Sequence, residues 1–210
     1  MRKDAERNRE RLVVAAREVF AEHGLDVALE TVARQAGVSI GTLYNRFPGR
    51  VDLVRAAFAD RSHTVNELAE HALALPDPWE GFVYFVEQVS HLQAADRGYN
   101  DLAGRSIPAA HTPAPERELD EEHVRGYALM TEIIARAHAG GRLRPDFTIE
   151  DMAFITWSIT RTIDTTAGVR PDVWRRHLAL ILDGLQTPAA HPLPEPPMTR
   201  EEMAAVYRDC

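Results

Sequence analysis

From Arg7 to His23, the apolar residues Leu12, Val13, Ala16, Val19 and Phe20 recur three or four apart, and Gly24 ends the pattern. That spacing lines one side of an α-helix, and glycine just past the last turn is the common helix stop. The same arrangement returns along nearly the whole chain. It predicts helices over 29–36, 39–47, 50–75, 78–96, 116–139, 148–168 and 171–187, separated by Gly37, Pro48-Gly49, Pro76, Gly140-Gly141, Pro145 and Pro171. No segment shows the period of two that a half-buried strand needs. The fold class is therefore all-α.

Local chemistry sharpens several boundaries. Ser39 is placed to cap the helix that follows it, and Asp77 to cap one that opens with Pro78. The 78–96 helix is apolar nearly all round its middle, so it is expected to be buried on more than one side. Residues 98–115 read as a broken stretch with one helical turn at 100–104. Residues 188–198 hold five prolines and predict an extended, mobile tail. Beyond them Thr199 and Glu202 have the spacing of a capping box, which permits a short helix over 199–209.

Composition excludes several classes. The longest apolar runs, FVYFV (82–86) and LALIL (178–182), fall far short of the roughly 20 residues that span a bilayer. The charged opening MRKDAERNRERL carries no secretory apolar region. Cys210 is the single cysteine, so no intrachain disulfide forms and a reducing cytoplasm is expected. No cofactor or metal is implied: the histidines are scattered, with no HExxH or Cys/His cluster, and there is no Walker loop, GxGxxG or GxSxG. The net charge of −8 hides an asymmetry. Residues 1–50 carry nine basic against seven acidic side chains, and the acidity lies beyond them. A mildly basic head on an acidic body is compatible with a local phosphate-binding surface.

The chemistry concentrates in 29–47, where two short helices flank a glycine-bearing turn, the plan of a helix-turn-helix. The second helix of such a unit fits the DNA major groove. Leu43 and Phe47, with Val38, are predicted to face the core. That leaves Ser39, Ile40, Thr42, Tyr44, Asn45 and Arg46 outward or along the edges. Gly41 lets the backbone approach a duplex closely. Hydroxyls at Thr42 and Tyr44 suit phosphate oxygens, while Asn45 and Arg46 can bond base edges or phosphates.

The stretch LETVARQAGVSIGTLYNRFPGRVDLV (29–54) resembles the DNA-binding signature of the TetR/AcrR family of bacterial transcriptional regulators. RNRERLVVAAREVFAEHG (7–24) is similar to that family's opening helix. The resemblance implies a homodimer with a three-helix helix-turn-helix head (1–50), a connecting helix (51–75) within an effector-binding and dimerisation body (51–187), and here a Pro-rich tail (188–210). It implies backbone contacts to double-stranded DNA from Thr42, Tyr44 and Arg50. Operator choice is expected at Ser39, Ile40 and Asn45. Ala28 departs from the family pattern, which places a capping Ser, Thr or Pro there; Asp26 is the candidate substitute.

The family also implies a small-molecule effector and release from a palindromic operator. Phe82, Phe85, Gln88, Val89, His91, Tyr127, Met130, Trp157 and Arg161 are the candidate pocket lining, with ordinary core packing as the rival explanation for most. Arg161 and Asp164 interrupt an apolar run, which reads as a local ion pair or an interface. Trp174, Leu178, Ile181, Leu182 and Leu185 are the candidate dimer stripe. Two other classes remain open: a ligand-independent architectural DNA-binding protein, and an enzyme in third place.

Overall fold

The computed structural model describes residues 2–105 and 121–208. Residues 116–120 of the expected 116–139 helix, residues 106–115 of the broken stretch, and Asp209 and Cys210 lie outside them. The described residues form ten α-helices in chain order. These are α1 (Arg2–His23), α2 (Leu29–Gln35), α3 (Ile40–Arg46), α4 (Arg50–Ala74), α5 (Pro78–Ala95), α6 (Arg97–Arg105), α7 (Glu121–Ala139), α8 (Asp151–Thr166), α9 (Val173–Leu185) and α10 (Arg200–Arg208). No strand forms among them; the nearest thing is one antiparallel bridge between Leu143 and Gln186.

The expected caps hold. Ser39 Oγ accepts the Thr42 amide at 3.1 Å, and Asp77 Oδ1 accepts those of Trp79 at 2.8 Å and Glu80 at 3.2 Å. Ala28 gives α2 no side-chain cap, which forgoes about 1 kcal/mol relative to Ser or Asp there. Gly24 (φ +79) and Gly37 (φ +64) adopt the left-handed conformation that ends α1 and turns the chain after α2, a conformation costly for other residues.

Two large apolar cores result among the described residues. One joins Leu12, Val19 and Phe20 of α1, Val32 and Ala33 of α2, Leu43 and Phe47 around α3, and Leu53, Ala57 and Phe58 of α4. The other joins α4, α5, α7, α8 and α9 around Phe82, Phe85, Ile133, Ile159, Trp174 and Leu178. The 25 residues of α4, about 37 Å long at 1.5 Å per residue, belong to both.

The main departure from expectation is α6. Where one helical turn was expected at 100–104, the described part of that stretch forms a nine-residue helix, packed on α1, α5 and α8. Its two glycines, which argue locally for a break, mark close approaches instead. A Cβ at Gly98 would stand 2.8 Å from Phe20 backbone atoms, and one at Gly104 would stand 2.9 Å from Thr160 Cγ2. The short tail helix that the capping box permits forms as α10 and docks: Met203 is fully buried and packs with Ala153, Trp157 and Met198.

Candidate nucleic-acid interface and its coupling to the body

The head positions α3 by burying one side of it. Leu43 is 0% exposed and Phe47 3%, while Ser39, Gly41, Tyr44, Asn45 and Arg46 are exposed. Thr42 is half-buried, its hydroxyl 2.9 Å from that of Ser39. Ile40 packs partly on the head core, which leaves only its edge available. The sequence-predicted residues thus share one face, with Ile40 at its margin.

Gly41 is informative because nothing inside the protein requires it. A Cβ built there meets nothing nearer than Ser39 Oγ at 3.8 Å, an ordinary contact. Ala in a helix is favoured over Gly by about 1 kcal/mol, so packing and propensity both permit a larger residue.

Arg50 is placed differently from the expectation of a free phosphate ligand. Its guanidinium donates to the carbonyls of Leu25 and Val27, the latter at 2.8 Å, and so braces the loop between α1 and α2. Arg17 similarly ties α1 to α4, donating to the Ala57 carbonyl at 2.7 Å and pairing with Asp60 at 2.6 Å.

Sequence reasoning missed the contacts between head and body. Tyr99 and Leu102 of α6 pack on the head core. Burial, outweighing nearby Arg61, pushes the Tyr99 phenol up to about 12, so it stays neutral. Asp101 accepts the Leu25 amide at 2.9 Å, and Asp96 pairs with Arg61 of α4 at 2.7 Å. On the body side, Asn100 donates through Nδ2 to the Thr160 carbonyl at 3.3 Å and to Asp164 at 2.7 Å. Gln93 donates to the Thr160 hydroxyl at 3.0 Å. Asp164 is therefore engaged by α6, and Arg161 is exposed.

The candidate pocket residues disperse. Phe82 and Phe85 are core, with Val89 and Met130 partly buried beside them. Gln88 is half-buried on α5. His91 turns toward α9, where its ring accepts from Arg175 at 2.6 Å and meets Trp174 edge-on; burial first, then Arg175, lowers its pKa. Tyr127 and Trp157 lie at the docked tail, through Arg200 and Met203 respectively. Two clefts, one along α1 and α2 and one by Leu75, Trp79, Tyr84 and Arg142, both open to solvent, gather none of these residues.

The dimer stripe needs correcting. Trp174 and Leu178 are 2% exposed and Leu182 7%, so they close the body's own core and are not available to a second copy. Ile181 and Leu185 also pack partly against that core. The apolar side chains left outside are Leu180 on α9, 61% exposed, and Phe154 on α8, 43% exposed.

A helix-turn-helix head on an all-α body is the plan of a DNA-binding transcriptional regulator, and comparison with known proteins agrees. Residues 12–57 match the family described as bacterial regulatory proteins, tetR family. Residues 77–187 match the C-terminal domain of SbtR-like transcriptional regulators. The chain belongs to the TetR family of transcriptional regulators. SrpR of Pseudomonas putida, an HTH-type transcriptional regulator, is 34% identical over 89 residues, 42% of this chain. That match spans only 42% of SrpR's own length. The TetR regulator SCO0520 of Streptomyces coelicolor is 30% identical, with 85% of this chain and 98% of that one covered and a TM-score of 0.51. FadR of Bacillus subtilis, solved with stearoyl-CoA, shares the fold at 18% identity, covering 87% of this chain and 99% of its own, with a TM-score of 0.60. No helix among the described residues is long and apolar enough to cross a membrane.

Proposed function

We propose that this regulator binds a palindromic operator as a homodimer, represses transcription there, and is released by a small-molecule effector. The observation that carries the DNA face is Gly41: a gap in an exposed, polar helix face that no internal contact requires. A missing side chain there serves close approach of an external surface, and Thr42, Tyr44, Asn45 and Arg46 surround it with groups suited to phosphates and base edges. Gly41→Ala tests this with two opposed readouts. Helix propensity raises stability by up to about 1 kcal/mol, while operator affinity falls. Affinity unchanged in the stabilised variant would remove α3 from the interface.

Release requires that the body bias the heads. α6 is suited to that role because it is tied on two sides, by Asp101 and Gly98 to the head and by Asn100 and Gly104 to α8. An effector that binds one body shape better than another displaces α6 with α4, and the heads leave the spacing of two half-sites. A second copy is proposed to meet the outer faces of α8 and α9, centred on Phe154 and Leu180.

The architectural alternative draws on one observation, the dispersal of the expected pocket lining among the described residues. A thermal-shift screen separates the two, because an effector raises the melting temperature by mass action and an architectural protein has none.

A further inference from the structure

We propose that α10 is a detachable cover that occupies an apolar seat on the seam between α7 and α8, and that an apolar or aromatic effector reaches the body by displacing it. The inference rests on the reading that the body takes an effector. Helices α7 and α8 each pack on α5 and share its core through Ile133, Ile134, Ile155 and Ile159, but their backbones come close at few positions. The tail helix lies across the seam between them: Arg200 stands over the Tyr127 ring of α7 at 5.7 Å, and Met203 packs with Ala153 and Trp157 of α8. Met203 and Ala204 are its buried apolar residues, and this small cluster is separate from the main body core. Removing the tail therefore uncovers Ala153 and Trp157 of α8 and the Tyr127 ring of α7.

Three features make the cover reversible. A helix of nine residues is marginal alone and depends on its cap and its seat. The cap is reciprocal: Glu202 accepts from the Thr199 amide at 2.8 Å and hydroxyl at 2.9 Å, and Thr199 Oγ1 accepts the Glu202 amide at 3.2 Å. The plug is methionine, whose flexible thioether adapts to a site and specifies it weakly, so another apolar group can replace it. The helix is also tethered. Arg144, 7% exposed and paired with Asp146 at 2.6 Å, donates to the His191 carbonyl at 3.0 Å. The short Pro-rich segment 192–198 leads from that anchor to α10. A tether of this length holds the released helix at high effective concentration, so it recloses when the competitor leaves.

The full-length protein and its Met203→Asp variant test this with the apolar fluorescent probe anilinonaphthalene sulfonate and with acrylamide quenching of tryptophan. Trp79 and Trp174 are 6% and 2% exposed, so Trp157 under the cover dominates the quenchable signal. Met203→Asp should raise quenching and tighten probe binding about tenfold, since a closed cover lowers apparent affinity by the open fraction. Glu202→Ala, an exposed change that weakens only the cap, should shift both readouts the same way by less, and guards against a variant that misfolds. Unchanged quenching and probe affinity in both variants overturn the proposal. Tighter probe binding without any effect on operator binding supports the cover and counts against effector release. An effector that frees operator DNA equally well from wild type and both variants supports release and overturns the cover.

Discussion

Replacing Gly98 by alanine probes the joint between head and body. A Cβ there would lie 2.8 Å from the carbonyl carbon, carbonyl oxygen and Cβ of Phe20. Carbon atoms in contact prefer roughly 3.5–4.0 Å, so α6 and α1 have to separate by about 0.7 Å or more. The Phe20 atoms are backbone and the root of a fully buried side chain, and neither can rotate away. Overpacking of this kind costs about 1–3 kcal/mol, against about 1 kcal/mol gained from helix propensity. Gly104→Ala gains the same propensity, and its one close contact is with a side chain, the Thr160 γ-methyl at 2.9 Å, where Gly98 meets backbone. Gly98→Ala should therefore be less stable than Gly104→Ala by about 1–2 kcal/mol in urea titrations, a difference within the usual range of packing effects. Because the displaced joint sets the head's position, operator affinity by fluorescence anisotropy should change about 5- to 30-fold in Gly98→Ala, the scale of a coupling energy of this size. Equal stability of the two variants, with operator affinity unmoved, would refute the argument that α6 holds the head.

Other expectations follow from single contacts. Leu180→Glu should give a folded monomer by sedimentation, because the side chain is 61% exposed, whereas Leu182→Glu should fail to fold. Arg50→Ala should lower the stability of the head, measured by thermal melting, as well as operator affinity. Its bonds to Leu25 and Val27 are hydrogen bonds from a charged donor, worth about 1.5–3 kcal/mol, and loss of affinity alone would return it to a purely DNA-facing role. Glu202 is held below the usual carboxylate range by the Thr199 amide and then its hydroxyl, and Asp146 by the Arg144 guanidinium. Groups with depressed folded pKa values stabilise above the unfolded value and lose that contribution as pH falls through the folded one. Docking of the tail should thus be complete above about pH 4–5 and weaken below it, read as rising Trp157 quenching; quenching flat through the acid range would contradict it.

The head was legible in the sequence because its signals are local. Ser39, Gly24 and Gly37 act within a turn of themselves, and Leu43 with Phe47 can face only inward on a helix whose other side is polar. The body was less legible because an apolar stripe states that a face is covered without naming the cover. Trp174, Leu178 and Leu182 read equally well as dimer contacts or core, and the depth of the α9 packing decides for core. α6 was obscured by Gly98 and Gly104, whose helix-breaking tendency is offset by close contacts with segments far away in sequence. Arg50 shows the same limit for a charge: its donors meet carbonyls of residues 25 and 27, a pairing that spacing does not reveal. The capping box at Thr199 was visible, but Met203's seat on Ala153 and Trp157 was not.

The central claim, a TetR-family head that reads a two-fold operator through the outer face of α3, is tested most directly by selecting the protein's preferred sites from a random duplex library. The account predicts an enriched inverted repeat, bound more weakly as salt rises and lost on Gly41→Ala. Recovery of no symmetric sequence, or of the same repeat at undiminished affinity by that variant, would contradict it.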